Sequence, residues 1–427
     1  MIKNNRPDIC FYISLKNLKR TLTNVNINDG NPGIGGTQYL FLLTVKCINV
    51  MYGWKRAILL TDGDFGIVDE EIPFVFVNKE EGAISYCEKN EIFQLVFNAN
   101  ILSTIREDIL NTTVNIYLWA HNTLNWKRQC LASKIESVKK VVCVSKQQYE
   151  NMSDTPCWEK CTYINNVIPM EFYRSATLST HNNKIAVYVG SLMPQKGIHN
   201  LLDIWKYVEK NTSNAELYVF GGANVWNAEN KLGSNGTADK YLERIIIKKL
   251  NHLEHPENIH FMGAMGWAEI DKLISSARVG VVNPSRYMRD ETFCLSAIEL
   301  EAHKIPIVSR QRHDGLNSTI LNGRTGFLEK EDKDMAERII TLINNPKQSI
   351  KMGENARAFS KLFIPEQEVH KWLELSFVDK SNISKKITKG KSIDAKLLRH
   401  DLFLKVIFLV ESGKFLDLLL KKLKDKF

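Results

Sequence analysis

Apolar residues along this chain fall into short continuous runs, separated by longer stretches in which they recur every three or four positions. In the first half, the runs at 9–15, 56–61, 114–119 and 140–145 read as buried strands, rich in β-branched and aromatic residues and alternating with helix-like stretches. Alternation of this kind predicts an α/β architecture built on parallel sheet. A helix is predicted from Tyr39 onward, behind the glycine-rich Asn31-Pro32-Gly33-Ile34-Gly35-Gly36. Near the far end, the apolar runs 402–410 and 415–420 are broken by Lys405, Glu411, Lys414 and Asp417. No uninterrupted run there approaches the roughly 18 apolar residues a spanning helix needs. Lys414, Asp417, Lys421 and Lys424 recur at helical spacing with leucines between them, which predicts an amphipathic helix.

Glu291 and Glu299 stand between a strand-like run ending at Ser285 and a helix-like apolar stretch. With a helix starting near Phe293, a rise of about 1.5 Å per residue separates the two carboxylates by roughly 12 Å, one at the N-terminal mouth and one two turns inside. That span suits a ligand whose anionic middle rests on the helix N-terminus while hydroxylated groups extend to either side, the form of a nucleotide sugar. Two exposed helix charges are the plainer reading of the spacing alone, because Glu is common on helix surfaces. The glycines before Tyr39 let backbone approach a phosphate, with a flexible loop before a helix as the alternative. Gln38 stands where a Gly-x-Gly-x-x-Gly dinucleotide fingerprint needs its third glycine, which disfavours a dinucleotide-binding dehydrogenase.

An ordered series of motifs surrounds the glutamates. Val187-Tyr188-Val189-Gly190-Ser191-Leu192 leads to Gln195-Lys196-Gly197, then come Leu217-Tyr218-Val219-Phe220-Gly221-Gly222 and Ile259-His260-Phe261-Met262-Gly263. Val279 to Ser285, the glutamate pair, Ile305 to Ser309 and Leu321 to Leu328 close the series. In order and spacing over about 150 residues, this series resembles the retaining glycosyltransferases of family 4, the group 1 glycosyl transferases. Their architecture is GT-B, α/β with two Rossmann-like domains facing a central cleft. The resemblance implies that Glu291 orients the hydroxyls of the transferred sugar and Glu299 those of the ribose. It implies further that amides near Phe293, Cys294 and Leu295, with the Gly190–Ser191 turn, meet the donor phosphates, and that Lys196 neutralises the leaving diphosphate. Gly35 and Gly36 match the first domain's loop facing those phosphates. His121, at the end of a predicted strand, matches a histidine that touches the transferred sugar, with a purely structural histidine as the alternative. Three positions depart from the family: Ser191 where an arginine is usual, Cys294 where a glycine is frequent, and His303-Lys304 where a small residue and glycine are common.

The implied organisation is an acceptor-side domain over 1–166, a nucleotide-sugar domain over 167–363, a helical return over 364–380 and a basic amphipathic tail over 381–427. A chain of 427 residues suits two α/β domains, and an apolar fraction of 44% with 25% charged residues is that of an ordinary globular protein. Eight cysteines are dispersed; only Cys157 and Cys161 lie close, with no second pair to complete a zinc site, so reduced thiols in a cytoplasmic protein are expected. The first residues lack the apolar core of a signal peptide. Of the formal net charge of +9, the stretch 380–427 supplies +8, from 13 Lys and Arg against 5 Asp and Glu. Such a tail suits an anionic membrane surface at the inner face of the cell membrane, with docking on the protein's own body or an oligomer contact as alternatives. No nucleic-acid partner is expected. The resemblance implies a hexosyltransferase of the EC 2.4 class, moving sugar from a UDP- or GDP-sugar to a glycan or glycolipid acceptor without metal or other cofactor. Bacterial surface polysaccharide or lipopolysaccharide assembly is the expected setting. A sugar-nucleotide epimerase of the same fold and a non-catalytic partner subunit are the alternatives.

Overall fold

A computed structural model describes residues 6–16, 26–63, 66, 69–169, 172, 183–223, 231–286 and 291–375. The predicted amphipathic tail over 381–427 lies outside the described residues. Seven strands, β1 (Ile9–Ile13), β2 (Ala57–Thr61), β3 (Phe74–Phe76), β4 (Gln94–Asn98), β5 (Asn115–Ala120), β6 (Val138–Cys143) and β7 (Cys161–Tyr163), form one sheet in the order β3-β2-β1-β4-β5-β6-β7. Six more, β8 (Ile185–Val189), β9 (Glu216–Phe220), β10 (Ile259–Gly263), β11 (Ala277–Val282), β12 (Ile307–Arg310) and β13 (Gly326–Glu329), form a second in the order β10-β9-β8-β11-β12-β13. Every strand pair is parallel. Both orders reverse beside their first strand, between β1 and β4 and between β8 and β11. At such a point the crossovers leave to opposite faces and open a crevice at the carboxyl ends of the strands. This is the GT-B arrangement of two Rossmann-like domains.

Helices α1 (Gly36–Tyr52), α2 (Lys79–Lys89), α3 (Trp126–Lys134) and α4 (Lys146–Asn151) accompany the first sheet. With the second go α5 (Ile198–Asn211), α6 (Lys240–Leu250), α7 (Trp267–Ile274), α8 (Leu295–Ala302), α9 (Leu316–Thr319), α10 (Asp332–Asn344) and α11 (Pro346–Ser360). Every residue of β1 and β2 is buried, as a parallel sheet covered on both faces requires. Strands β3, β4 and β7 escaped the sequence reading for local reasons. β3 is an edge strand with Phe74 and Phe76 exposed, β4 carries only three buried apolar residues between polar ends, and β7 is three residues long.

After the second sheet the chain returns through α12 (Pro365–Glu368) and α13 (His370–Glu374). Trp372 packs into the first domain, its ring 5.3 Å from Phe11 and 4.7 Å from Trp119. The outgoing and returning segments are tied together: Ile168 N–H donates to the Phe363 carbonyl at 2.9 Å, and Asn165 donates to the Glu368 carboxylate through backbone and side chain, each at 3.0 Å. The domains are thus joined by paired segments at one end of the crevice. No helix among the described residues is long and apolar enough to cross a membrane.

Candidate active site

The crevice has a volume of about 1500 Å3 and draws its walls from both domains. On the second domain's side, β8 ends and the chain turns through Gly190 and Ser191 into the short turn Pro194–Lys196 before α5. A Cβ on Gly221 would lie 1.8 Å from the Gly190 carbonyl oxygen, so the ends of β8 and β9 approach closely enough to demand glycine. Gly197, at φ +83°, also packs against backbone, with a would-be Cβ 2.2 Å from the Ser285 nitrogen beyond β11. These contacts bring Lys196 to the loop after β11. Its Nζ lies 2.6 Å from Glu291 Oε2, and the same carboxylate oxygen accepts a hydrogen bond from Asn283 Nδ2. Burial by itself would lower the lysine's pKa, but the facing Glu291 carboxylate outweighs it and holds the ammonium above the ordinary lysine value. Asn283 stands at φ +44°, a left-handed conformation that asparagine tolerates better than most residues.

The helix after this loop starts later than its sequence suggests. α8 begins at Leu295 with Cys294 at the N-cap and no side-chain capping bond, so Glu291 lies on the loop before the helix and not at its mouth. The reason is that the intervening backbone is engaged elsewhere. The Glu291 carbonyl accepts from Gly315 N–H at 2.6 Å, and the Thr292 carbonyl accepts from Ser145 Oγ at 2.7 Å. Phe293, Cys294 and Leu295 then present the uncapped first turn to the crevice. Burial and the nearby Glu291 charge push the Cys294 thiol up to about 12, so it stays protonated.

Glu299 lies within α8 and is 3% exposed. Burial pushes its pKa up to about 8, opposed by a hydrogen bond from Trp267, and its Oε1 has no hydrogen-bond partner. Trp267 stacks on His303 at 5.4 Å, and His303 Nδ1 lies 2.6 Å from the Glu299 carbonyl. Lys304 adopts φ +62°, which accounts for the glycine expected there from the resemblance.

Across the crevice, His121 directly follows β5 with its ring 4.5 Å from Trp119. Burial lowers its pKa to about 3, so the imidazole is neutral. Gly35 is buried as the N-cap of α1, while Gly36, Thr37 and Gln38 face the crevice from a helix start with no side-chain cap. Four buried polar atoms without a hydrogen-bond partner line the crevice: Gln38 Oε1, His121 Nε2, Asn166 Oδ1 and Glu299 Oε1. Unpaired buried polar atoms are costly in a folded protein, and here they mark where a ligand's hydroxyls can bond.

Every site position expected from sequence except Gly35 lines this crevice, and Lys196 and Glu291 are in contact. Sequence reasoning missed Gln38, Asn166, Trp267, Asn283 and Thr292. Asn283 carried one usable signal, a polar residue between a buried strand and a proline; the others have none short of the fold. All eight cysteines are free thiols, and among the described residues no group of three His, Cys, Asp or Glu side chains is placed to hold a metal ion.

Residues 169–359 match the family described as glycosyl transferases group 1. An uncharacterized glycosyltransferase of Methanocaldococcus jannaschii is 28% identical over 226 residues, covering 52% of this chain and 55% of that protein. A capsular polysaccharide biosynthesis glycosyltransferase of Staphylococcus aureus is 26% identical over 205 residues, 47% of this chain and 46% of the other. The chain therefore spans about half the length of these curated relatives. A solved Anabaena protein in complex with UDP-glucose shares the fold, with a TM-score of 0.62 at 15% identity over 86% of this chain and 98% of that one. Family match and shared fold agree with the resemblance carried by the motifs.

Proposed function

We propose that this chain, whose residues 169–359 form a group 1 glycosyltransferase domain on a GT-B fold, transfers a hexosyl group from a nucleoside-diphosphate sugar to an acceptor hydroxyl with retention of configuration. What carries the reading is the Lys196–Glu291 pair, 2.6 Å apart, beside the uncapped start of α8 in a crevice that neutral His121 lines from the other domain. The donor diphosphate rests on the amides of Phe293 and Cys294, with the Leu295 N–H, which donates to the Phe293 carbonyl at 3.1 Å, turning to it on binding, and beside the Gly190–Ser191 turn. There the helix dipole and the Lys196 ammonium stabilise the negative charge that grows as the glycosidic bond breaks. Glu291 accepts hydroxyls of the transferred sugar, and Glu299 accepts those of the ribose. The departing diphosphate takes the acceptor's proton, and the acceptor oxygen enters on the face the leaving group vacates, which preserves the configuration.

Because amides and ammonium supply the counter-charge, turnover is expected to survive EDTA. UDP-glucose is the first donor to try, since the Anabaena protein of this fold binds it, with GDP-sugars next. The Staphylococcus relative named for capsular polysaccharide supports surface polysaccharide or lipopolysaccharide assembly as the setting, on the cytoplasmic face of the membrane. Incubation with UDP- and GDP-sugars followed by product analysis tests the reading. Transfer, or slow hydrolysis giving a sugar of retained configuration, is the expected result. Interconversion of the nucleotide sugar would replace the reading with an epimerase, and inertness would replace it with a non-catalytic subunit.

A further inference from the structure

We infer that Thr292 is a positioning residue that plugs the Glu291 loop into the first domain, so that closure of the crevice adds to the hold that Lys196, Asn283 and Gly315 of the second domain have on Glu291; the assignment rests on the glycosyl-transfer reading. Thr292 belongs to the second domain, yet both of its bonded polar groups reach the first. Its hydroxyl donates to the His121 carbonyl at 2.7 Å, and its own carbonyl accepts from Ser145 Oγ at 2.7 Å. The residue is 6% exposed, so water does not compete for either bond. Ser145 is anchored in turn, since as N-cap of α4 it accepts from Gln148 N–H at 3.1 Å. α4 extends the grip: Gln147 N–H donates to Ser318 Oγ at 3.1 Å, and Asn151 Nδ2 donates to the His313 carbonyl at 3.1 Å. From the other side, Gly315 leaves no room for the loop to retreat, because a Cβ there would lie 2.2 Å from the Thr292 carbonyl oxygen.

The loop is therefore clamped between α4 and β5 of one domain and the segment around α9 of the other. Separating the domains breaks both Thr292 bonds together, and the loop that carries Glu291 one residue away keeps only its second-domain partners Lys196, Asn283 and Gly315. Small misplacements of a reacting group cost large factors in rate, so such a clamp couples closure to turnover. Thr292 acts through Glu291 and needs no contact of its own with the reacting atoms.

Thr292→Val removes the hydroxyl and keeps the branched shape. It is expected to lower kcat with UDP-glucose about tenfold while changing UDP affinity less than about twofold, and Thr292→Ser is expected to restore most of the loss. In a Glu291→Gln background the same substitution should cost little more, because residues acting as a unit are not additive. Equal penalties in both backgrounds, or a loss mirrored in UDP affinity, would overturn the assignment. Amide exchange at Gln147 and Gln148 reads the clamp without turnover: Thr292→Val must speed it in the UDP-bound full chain, and unchanged exchange also overturns the clamp. A wild type inert toward all sugar nucleotides would remove the functional reading, with amide exchange still deciding whether Thr292 joins the domains.

Discussion

Glu299 is a carboxyl whose surroundings favour its protonated form. Burial lifts its pKa from the ordinary 4.5 to about 8, with the Trp267 hydrogen bond pulling the other way. Between those values the unfolded chain has released a proton that the native protein keeps, so this group subtracts stability as pH rises through the window and subtracts nothing below it. Glu299→Gln imitates the protonated form. Its unfolding free energy is expected to exceed the wild type's at about pH 8 and to match it near pH 4.5, the gap growing by up to about 1.4 kcal/mol per pH unit and read by urea unfolding at each pH. A gain of equal size at both ends would exclude Glu299 as its source. Ribose hydroxyls favour the carboxylate, so calorimetric UDP affinity should climb from about pH 6 to about pH 8 more steeply in the wild type than in the variant. For Glu291 and Lys196 the proposed roles predict effects on turnover instead. Glu291→Gln should lower kcat at least about tenfold while sparing UDP binding. Lys196→Ala should cost at least about a hundredfold, because it removes the cation at the leaving group and also releases Glu291. A Lys196→Ala enzyme keeping most of its rate would move the diphosphate site elsewhere.

At the level of elements, the site exists because two strand ends and one loop approach more closely than side chains normally permit. Gly221 combines φ +148° with a would-be Cβ 1.8 Å from the Gly190 carbonyl oxygen. Gly221→Ala is expected to destabilise the second domain by about 2–6 kcal/mol, the sum of backbone strain and overpacking, and to abolish UDP binding. Urea unfolding with a UDP titration checks this; an unchanged midpoint would mean that the strand ends separate freely. The glycine was recognisable in sequence as the end of a strand, but its partner was not, since Gly190 and Gly221 are brought together only by pairing of β8 with β9. The start of α8 was misjudged by two residues for a related reason: helical periodicity registers side chains, whereas hydrogen bonds from Gly315 and Ser145 withdraw the Glu291 and Thr292 carbonyls from the helix.

Across the whole molecule, the paired segments near Asn165 and Glu368, together with the α4 clamp, define one closed arrangement of the two sheets. The stretch from Lys380 to Phe427 carries +8 of the net charge of +9. Removing it is expected to leave transfer to a short soluble acceptor intact and to abolish sedimentation with anionic vesicles. Each basic residue near such a surface contributes about 1 kcal/mol, screened by salt, so full-length binding should weaken steeply as ionic strength rises. A lowered melting temperature on truncation, with vesicle binding absent in both forms, would show instead that the tail packs against the body.

The chain's own order of residues was enough for the α/β class and most of the strands, which are local properties, since a buried parallel strand must be apolar along its length. The two-domain GT-B reading and the site positions came from the resemblance of its motifs to a family, and those positions, Gly35 excepted, line the crevice. The tertiary structure alone decided that Lys196 reaches Glu291 across 95 residues, that Asn283 shares that carboxylate, and that Thr292 bonds to His121 and Ser145 of the other domain. Such contacts depend on which strand ends meet and how the domains close, and hydrogen bonds between distant segments leave no period or composition by which a single chain could announce them.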